Sequence, residues 1–373
     1  MKSLHINIVL CLISFFAKAQ DKSLKLAEKK MYTAPEEAIK LVNASFAGNL
    51  EQGEKLRALS ILSNSYNTLN QKTKALQYCN EGILLARKID DKTILIRLLG
   101  LGGNLNQYFR FNDQTKIYLN EAEALIKKGY LPDSLSHIKA SLFYLKGMNY
   151  IYSLDSELAA TYFDQAIKEY KRSKIPIAAV NIKLAYLNKG FCLLELKQSD
   201  DALKNFHLAQ VNTKKREQLA KYPENFIQRQ KIYTDLGISQ VYYQQGKYLL
   251  SNELLSKISG NTDGIPEDAL QEILYQHSKN YLALDDVDSS AYYRTLSEEI
   301  NLADQKNYAG QISKLSEVEN QISKRNNAGF FKKHSFVIIS FTLLFAIMCA
   351  FLLLRNYKYS VQLKKEINES LSR

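Results

Sequence analysis

The sequence predicts an all-α chain: a solenoid of stacked helical hairpins, followed by a stalk helix and one transmembrane helix. Three observations predict it. Between Leu24 and about Ala303, apolar residues recur three and four positions apart with almost no β-branched alternation. One pattern of small and large residues returns along that stretch. Near the C-terminus, the segment Phe336 to Leu354 carries no charge and is long enough, at roughly 28 Å as a helix, to cross a hydrocarbon core.

The elements follow in order. Residues 1–19 read as a signal peptide: Lys2, an apolar run from Leu4 to Phe16, then Ala17-Lys18-Ala19 with small residues at the minus-three and minus-one places of a cleavage site. Cleavage is expected before Gln20. Cys11 follows Val9-Leu10 rather than the small residue of a lipoprotein processing site. Composition then bounds the remainder: 46% hydrophobic and 24% charged residues, with 15 Gly and 5 Pro, exclude collagen-like and disordered chains, so most of the sequence should fold.

Residues 20–295 are expected to form the repeat array. Pro35, Pro132, Pro176, Pro223 and Pro266 all fall at plausible helix starts or connections, where a missing N–H costs little. Two residue sets share one spacing: Gly147, Tyr150, Ala159, Phe163 and Ala166, then Gly190, Leu193, Ala202, Phe206 and Ala209. A third is Ser63, Tyr66, Ala75, Cys79 and Gly82. These sets resemble the tetratricopeptide repeat (TPR), a helix-turn-helix unit with small residues at its eighth, twentieth and twenty-seventh positions, Tyr at its eleventh and a large aromatic at its twenty-fourth. Weaker copies lie on Gly103, Thr115, Leu119 and Ala122, and on Ser278, Tyr281, Ser290 and Ser297. Val241 to Tyr248 reads as the turn of another copy, with Gly246 at the bend, and Ala38, Val42 and Ser45 suggest an N-terminal half unit.

The physical reason for the pattern is that two antiparallel helices approach closely only where small residues face each other, and a large residue then fills the gap to the next pair. From Ser63 through Gly103, Gly147, Gly190 and Ser239 to Ser278, the steps are 40, 44, 43, 49 and 39 residues, longer than the consensus of about 34. Longer helices are the expected cause, because stretches such as Leu203 to Leu219 lack turn residues.

Residues 296–333 are read as a helical stalk: Ile300, Ala303, Ile312, Leu315, Val318 and Ile322 are spaced irregularly amid polar residues, and Asn326 to Gly329 break the helix. Residues 334–355 are the expected transmembrane helix and 356–373 a short basic cytoplasmic tail. Joined to the export signal, this predicts a single-pass cell-membrane protein with the array outside the cytoplasm. The flanking charges agree in sign: Lys332 and Lys333 precede the segment, and Arg355, Lys358, Lys364 and Lys365 follow it.

No catalytic constellation is found. His5, His137, His207, His277 and His334 are far apart, no HExxH or paired Cys/His spacing occurs, and no GxSxG is present. The sequence therefore predicts no enzyme, no metal and no cofactor. Cys79 and Cys192 read as separate buried thiols. Gly100-Leu101-Gly102-Gly103 fails the nucleotide-loop pattern and is read as helix contact, and Asp285-Asp286-Val287-Asp288 as a turn. The net charge of +12 suits several anionic partners, but direct nucleic-acid binding is not expected from an exported array without aromatic interleaving.

What remains is a surface. The TPR resemblance implies that the inner helices line a groove in which Arg57 and Asn64 take the second and ninth positions of one copy, and Arg97 and Asn104 the same positions of the next. Asn can bond both the N–H and C=O of an extended peptide, and Arg can hold a carboxylate through two bonds. Solvated polar residues explain the pattern equally. The fifth-position Lys of the carboxylate-clamp subfamily is Ser60 here and Gly100 in the next copy, which speaks against capture of a terminal carboxylate. Tyr144, Met148, Tyr152, Phe191 and Tyr243 either continue the groove as an apolar wall or pack the core.

The arrangement resembles the sensory half of membrane-bound bacterial regulators, but the 19 residues from Arg355 to Arg373 are too short for a DNA-binding or kinase domain. The expected function is a membrane-anchored interaction module that binds a peptide or protein outside the cytoplasm and localises or relays that event through its membrane helix. The alternative is the sensor half of a regulator whose effector is truncated or on a separate chain. A cytoplasmic signalling partner belongs to either reading, and a homodimer is compatible with both.

Overall fold

A computed structural model describes residues 21–46, 50–211, 224–260 and 264–317, which form helices and turns and, among the described residues, no strand. The chain divides into two compact units, Met1–Gln311 and Ile312–Arg373. Of the second, only residues 312–317 are described. In chain order the helices are α1 (residues 21–30), α2 (Pro35–Phe46), α3 (Gln52–Thr68), α4 (Lys72–Ile89), α5 (Lys92–Tyr108), α6 (Asn112–Lys127), α7 (Ser136–Tyr152), α8 (Ser156–Arg172), α9 (Ala178–Glu195), α10 (Ser199–Ala209), α11 (Glu224–Gln244), α12 (Tyr248–Ser259), α13 (Glu267–Ala283) and α14 (residues 287–317). From α2 to α13 each packs against its neighbours along the chain, as a stack of antiparallel hairpins requires.

Local chemistry starts and stops these helices. Asp91 and Asp155 accept bonds from the amides of Ile94 and Leu158, capping α5 and α8. Pro35 opens α2, and Pro132 and Pro266 stand just before helical turns. Inside each hairpin the turn is the same. Asn70, Arg110, Leu154, Lys197, Gly246 and Asp285 all have positive φ, and each lies seven residues after the small residue of its copy. The following amide reaches five residues back, as in Gln71 to Tyr66 at 2.9 Å and Gln198 to Leu193 at 2.8 Å, which closes the helix in a Schellman motif. A left-handed conformation favours glycine, yet only Gly246 supplies one, and Leu154 holds it while 92% exposed.

Packing across the hairpin depends on the small positions. A Cβ on Gly147 would lie 2.8 Å from Phe163, and one on Gly190 2.6 Å from Phe206. Phe206 is gripped from two sides, because a Cβ on Gly237 of the next hairpin would approach it to 2.4 Å. Gly103 stands against Leu119 in the same way. Where the small residue is Ser or Thr, its hydroxyl bonds across: Ser63 Oγ to the Ala75 carbonyl at 2.9 Å, Thr115 Oγ1 to the Gly103 carbonyl at 3.3 Å, Ser251 Oγ to the Ser239 carbonyl at 2.8 Å. Ala159, Ala166, Ala202 and Ala209 are fully buried. Beside this seam three copies stack parallel tyrosines, Tyr66 on Tyr78, Tyr150 on Tyr162 and Tyr281 on Tyr293, each at 5.4 Å between ring centres. Cys79 and Cys192 are free and buried, and desolvation pushes both thiols up to about 12.

One part of the expected fold class needs correction. Among the described residues no helix is long and apolar enough to cross a membrane. Their apolar faces are spent on neighbouring helices and their remaining faces are polar, which a hydrocarbon core would not accept. The all-α solenoid therefore stands without the transmembrane helix of the expectation. Residues 334–355, to which that helix was assigned, lie outside the described residues, as do the signal peptide at 1–19 and the tail at 356–373.

Two further differences concern helix ends. The stretch Leu203 to Leu219 is not one helix: α10 ends at Ala209 and Gln210 is extended, with Lys183 Nζ donating to the carbonyls of Leu208 at 2.7 Å and Gln210 at 2.8 Å. Over residues 296–311 the segment read as a stalk continues α14 and touches the array. Arg110 Nη2 donates to Asp304 at 3.0 Å, the Tyr308 hydroxyl donates to the Phe109 carbonyl at 2.8 Å, and the Arg110 guanidinium lies over the Tyr308 ring.

The last hairpins hold a buried polar network. Asn280 Nδ2 donates to Ser251 Oγ and Asn252 Oδ1, both at 2.8 Å, and His277 Nδ1 lies 2.9 Å from the same Asn252 oxygen. His277 is 2% exposed beside the stacked pair Tyr281 and Tyr293, and burial lowers its pKa to about 4.

Three outcomes follow from this packing. Gly190→Ala should lower the unfolding free energy by about 1–3 kcal/mol in urea titrations, since Phe206 has no room to retreat. Leu154→Gly should raise it by about 0.5–1 kcal/mol by relieving a left-handed leucine that buries nothing. His277 is neutral when folded, while the unfolded chain binds its proton below about pH 6.5. Stability should be complete above that pH and fall as the pH drops towards 4, by roughly 2–3 kcal/mol, a loss that His277→Gln should lack, so that the wild-type minus variant difference in unfolding free energy isolates it.

Candidate functional site

The first helices of successive hairpins, α1, α3, α5, α7 and α9, line a half-open cavity of about 460 Å³. Met31, Ile94, Leu101, Ile138 and Leu145 supply apolar wall, while Tyr32, Ser60, His137, Ser141 and Asn181 supply polar groups. Arg57, Asn64, Arg97, Asn104 and Tyr144 of the expected groove all line it. The other four do not. Met148 packs on the core cluster around Phe163 and Ala185, and Phe191 stands edge-on to Phe206 at 5.1 Å. Tyr152 is half exposed at the end of α7, and Tyr243 lies against Tyr248 with Lys279 Nζ over its ring at 4.6 Å.

The two Arg/Asn pairs differ in state. Arg57 donates to Asp21 Oδ1 and Glu28 Oε2 of α1, each at 3.0 Å, and Asp21 also accepts from Lys25 at 2.6 Å. The four groups carry two charges of each sign and cancel. Hydrogen bonds from Lys25 and Arg57 hold the Asp21 carboxyl below its usual range. Asn64 is engaged too, accepting from the Tyr32 hydroxyl at 3.1 Å and donating to the Ser60 carbonyl at 2.8 Å. Arg97 and Asn104, in the same places on α5, are exposed to the cavity and make no hydrogen bond or ion pair among the described residues. Arg97 acts at longer range: burial first, and then the Arg97 charge, lower the His137 pKa, which favours the neutral imidazole at pH 7.

Gly100 lies between them, one turn from each. A Cβ there would meet nothing within 4 Å, unlike Gly102 and Gly103, which press on Tyr118 and Leu119. Of the glycines read as helix contacts, Gly100 is the one that leaves floor space. A helical glycine costs about 1 kcal/mol against alanine, and here that cost leaves the cavity wider. Across from it the Tyr144 hydroxyl accepts from Asn188 Nδ2 at 2.9 Å, and burial drives its pKa well up. Sequence reasoning missed Glu28, Tyr32 and His137. Its signal was present, since Asp21 and Glu28 are spaced seven apart like Arg57 and Asn64, once Ala27 is taken as the buried small residue of α1.

A second recess, on α8, α9 and α10, contains none of the expected groove residues, and its Lys189 is paired with Asp164 at 2.7 Å.

No family model and no curated protein sequence matches the chain. Solved structures do. NprR in complex with its cognate peptide NprX aligns with a TM-score of 0.60 at 12% identity, over 79% of this chain and 82% of that one. The apo form of RapI aligns with a TM-score of 0.55 at 11% identity, over 77% of this chain and 99% of that one. The apo form of the quorum sensor NprR from B. thuringiensis gives 0.55 at 13% identity, over 76% of each chain. At such identities the likeness is one of fold, and together with the repeated glycine-to-ring seam it supports a TPR-type helical-repeat fold.

Proposed function

We propose that the chain is a non-enzymatic module that binds a peptide or protein segment in the cavity over α3, α5 and α7. The observation that carries this reading is the unengaged pair Arg97 and Asn104 on either side of Gly100. Polar side chains with no protein partner, set on rigid helices beside an apolar wall, are the usual makings of a peptide groove. NprR, whose fold is similar, was solved with its cognate peptide, and that supports the choice of ligand class. The export signal read in residues 1–19 puts this groove outside the cytoplasm.

A second reading adds a relay. α5 carries Arg97 and Asn104, and the turn that ends it carries Phe109 and Arg110, which hold Asp304 and Tyr308 of α14. A ligand that shifts α5 would pull on α14, giving the module a route by which binding is passed to a signalling partner.

Panning a random peptide display library on the immobilised full-length chain should yield saturable binders. Replacing Arg97 and Asn104 together by Ala should weaken them 10-fold to 100-fold, as expected for losing a charge-assisted bond and an amide contact of about 1.5–3 kcal/mol in all. Gly100→Leu should fill the floor and do the same without loss of helical circular dichroism. Binders indifferent to both variants would place the site elsewhere and overturn the reading.

A further inference from the structure

Resting on that reading, we propose that the cavity selects acidic peptides: the occupant is a segment of another protein chain that brings a side-chain carboxylate to Arg97. The template is internal. One step earlier in the stack, Arg57 of α3 is satisfied by two side-chain carboxylates, Asp21 and Glu28, set seven residues apart on α1. The residues of α3 that stand to Arg97 as those two stand to Arg57 are Arg57 itself and Asn64. Neither is acidic, so the repeat that neutralises the first guanidinium offers the second no counter-charge.

Charge accounting agrees. Lys25, Asp21, Arg57 and Glu28 close a network of zero net charge, and His137 adds no formal charge at pH 7. Arg97 is thus the one cation lining the cavity that lacks an ion-pair partner among the described residues. A guanidinium beside an apolar wall is matched best by a carboxylate it can hold through two bonds. A side chain is a better source than a free C-terminus on two grounds: side chains do this work for Arg57, and the neighbouring position that would hold a second cation for a terminal carboxylate is Gly100. Asn104, one side-chain amide with both donor and acceptor, suits the peptide bond or hydroxyl that follows, as Asn64 receives Tyr32.

Three fluorescent 14-residue peptides test this against the full-length chain. The first is acetylated and amidated, with Asp and Glu seven residues apart as in α1; the second has Asn and Gln in their place; the third is the neutral peptide with a free C-terminus. The acidic peptide should bind at least 10-fold tighter than either other. Arg97→Gln should erase that preference, and Arg97→Glu should transfer it to a fourth peptide with Lys at the two places. Equal binding of acidic and neutral peptides, or preference for the free terminus, would overturn the inference. So would sensitivity to Arg57→Gln but not Arg97→Gln, which marks exchange with α1, or self-association abolished by Arg97→Gln, which seats a second copy there. If library-selected neutral or basic peptides bind through Arg97 and Asn104 while acidic ones do not, this inference alone fails. If no peptide at all binds there, the proposed function fails with it.

Discussion

The close approach of paired helices at one small residue per hairpin is the constraint on which the rest of this molecule depends. Gly147 against Phe163, Gly190 against Phe206 and Gly103 against Leu119 leave no room for a single added carbon. That approach aligns the two helices of a hairpin, and the ring filling the gap then sets where the next hairpin sits. Phe206, held between Gly190 and Gly237, joins two hairpins through one side chain. Dispersion at such contacts is short-ranged, so the seam tolerates neither a gap nor an excess. Each hairpin closes on the same left-handed residue and back-bonded amide, and the regular turn keeps the seam in register.

Because the seam fixes the spacing of the first helices, equivalent residues on α1, α3 and α5 come to lie one above another. The same geometry then gives opposite outcomes to equivalent residues. Arg57 finds carboxylates behind it and becomes structural; Arg97 finds an arginine and an asparagine and stays available. A repeat scaffold thus converts one-residue differences between copies into a step from filled to open, without altering the backbone. Gly100 belongs to this step, since it gives up helix propensity without any packing return.

Much of the array was legible before any coordinates. The glycine, alanine and aromatic sets of the two strongest copies mark residues that meet in space, because their spacing reflects a local hairpin whose contacts are 12 to 16 residues apart. The weaker copies were also in register, and their Ser and Thr hydroxyls explain why small polar residues replace glycine there. The groove was legible in part. Periodicity places Tyr144, Met148, Phe191 and Tyr243 near one face, but whether a ring faces a cavity or a neighbouring ring depends on packing between hairpins, which no local spacing encodes.

By itself the sequence determined the local rules: helices, hairpin register, the small residues at the seam and the repeated Arg/Asn pair, all of which arise from interactions within one or two turns or across one hairpin. Tertiary structure alone decided what those residues do. It set Asp21 and Glu28 on Arg57, left Arg97 open, brought residues 304 and 308 onto a turn nearly 200 positions earlier, and put His277 among tyrosines. Charge pairing and burial are decided by distance in space, and in a stacked array that distance accumulates over many hairpins.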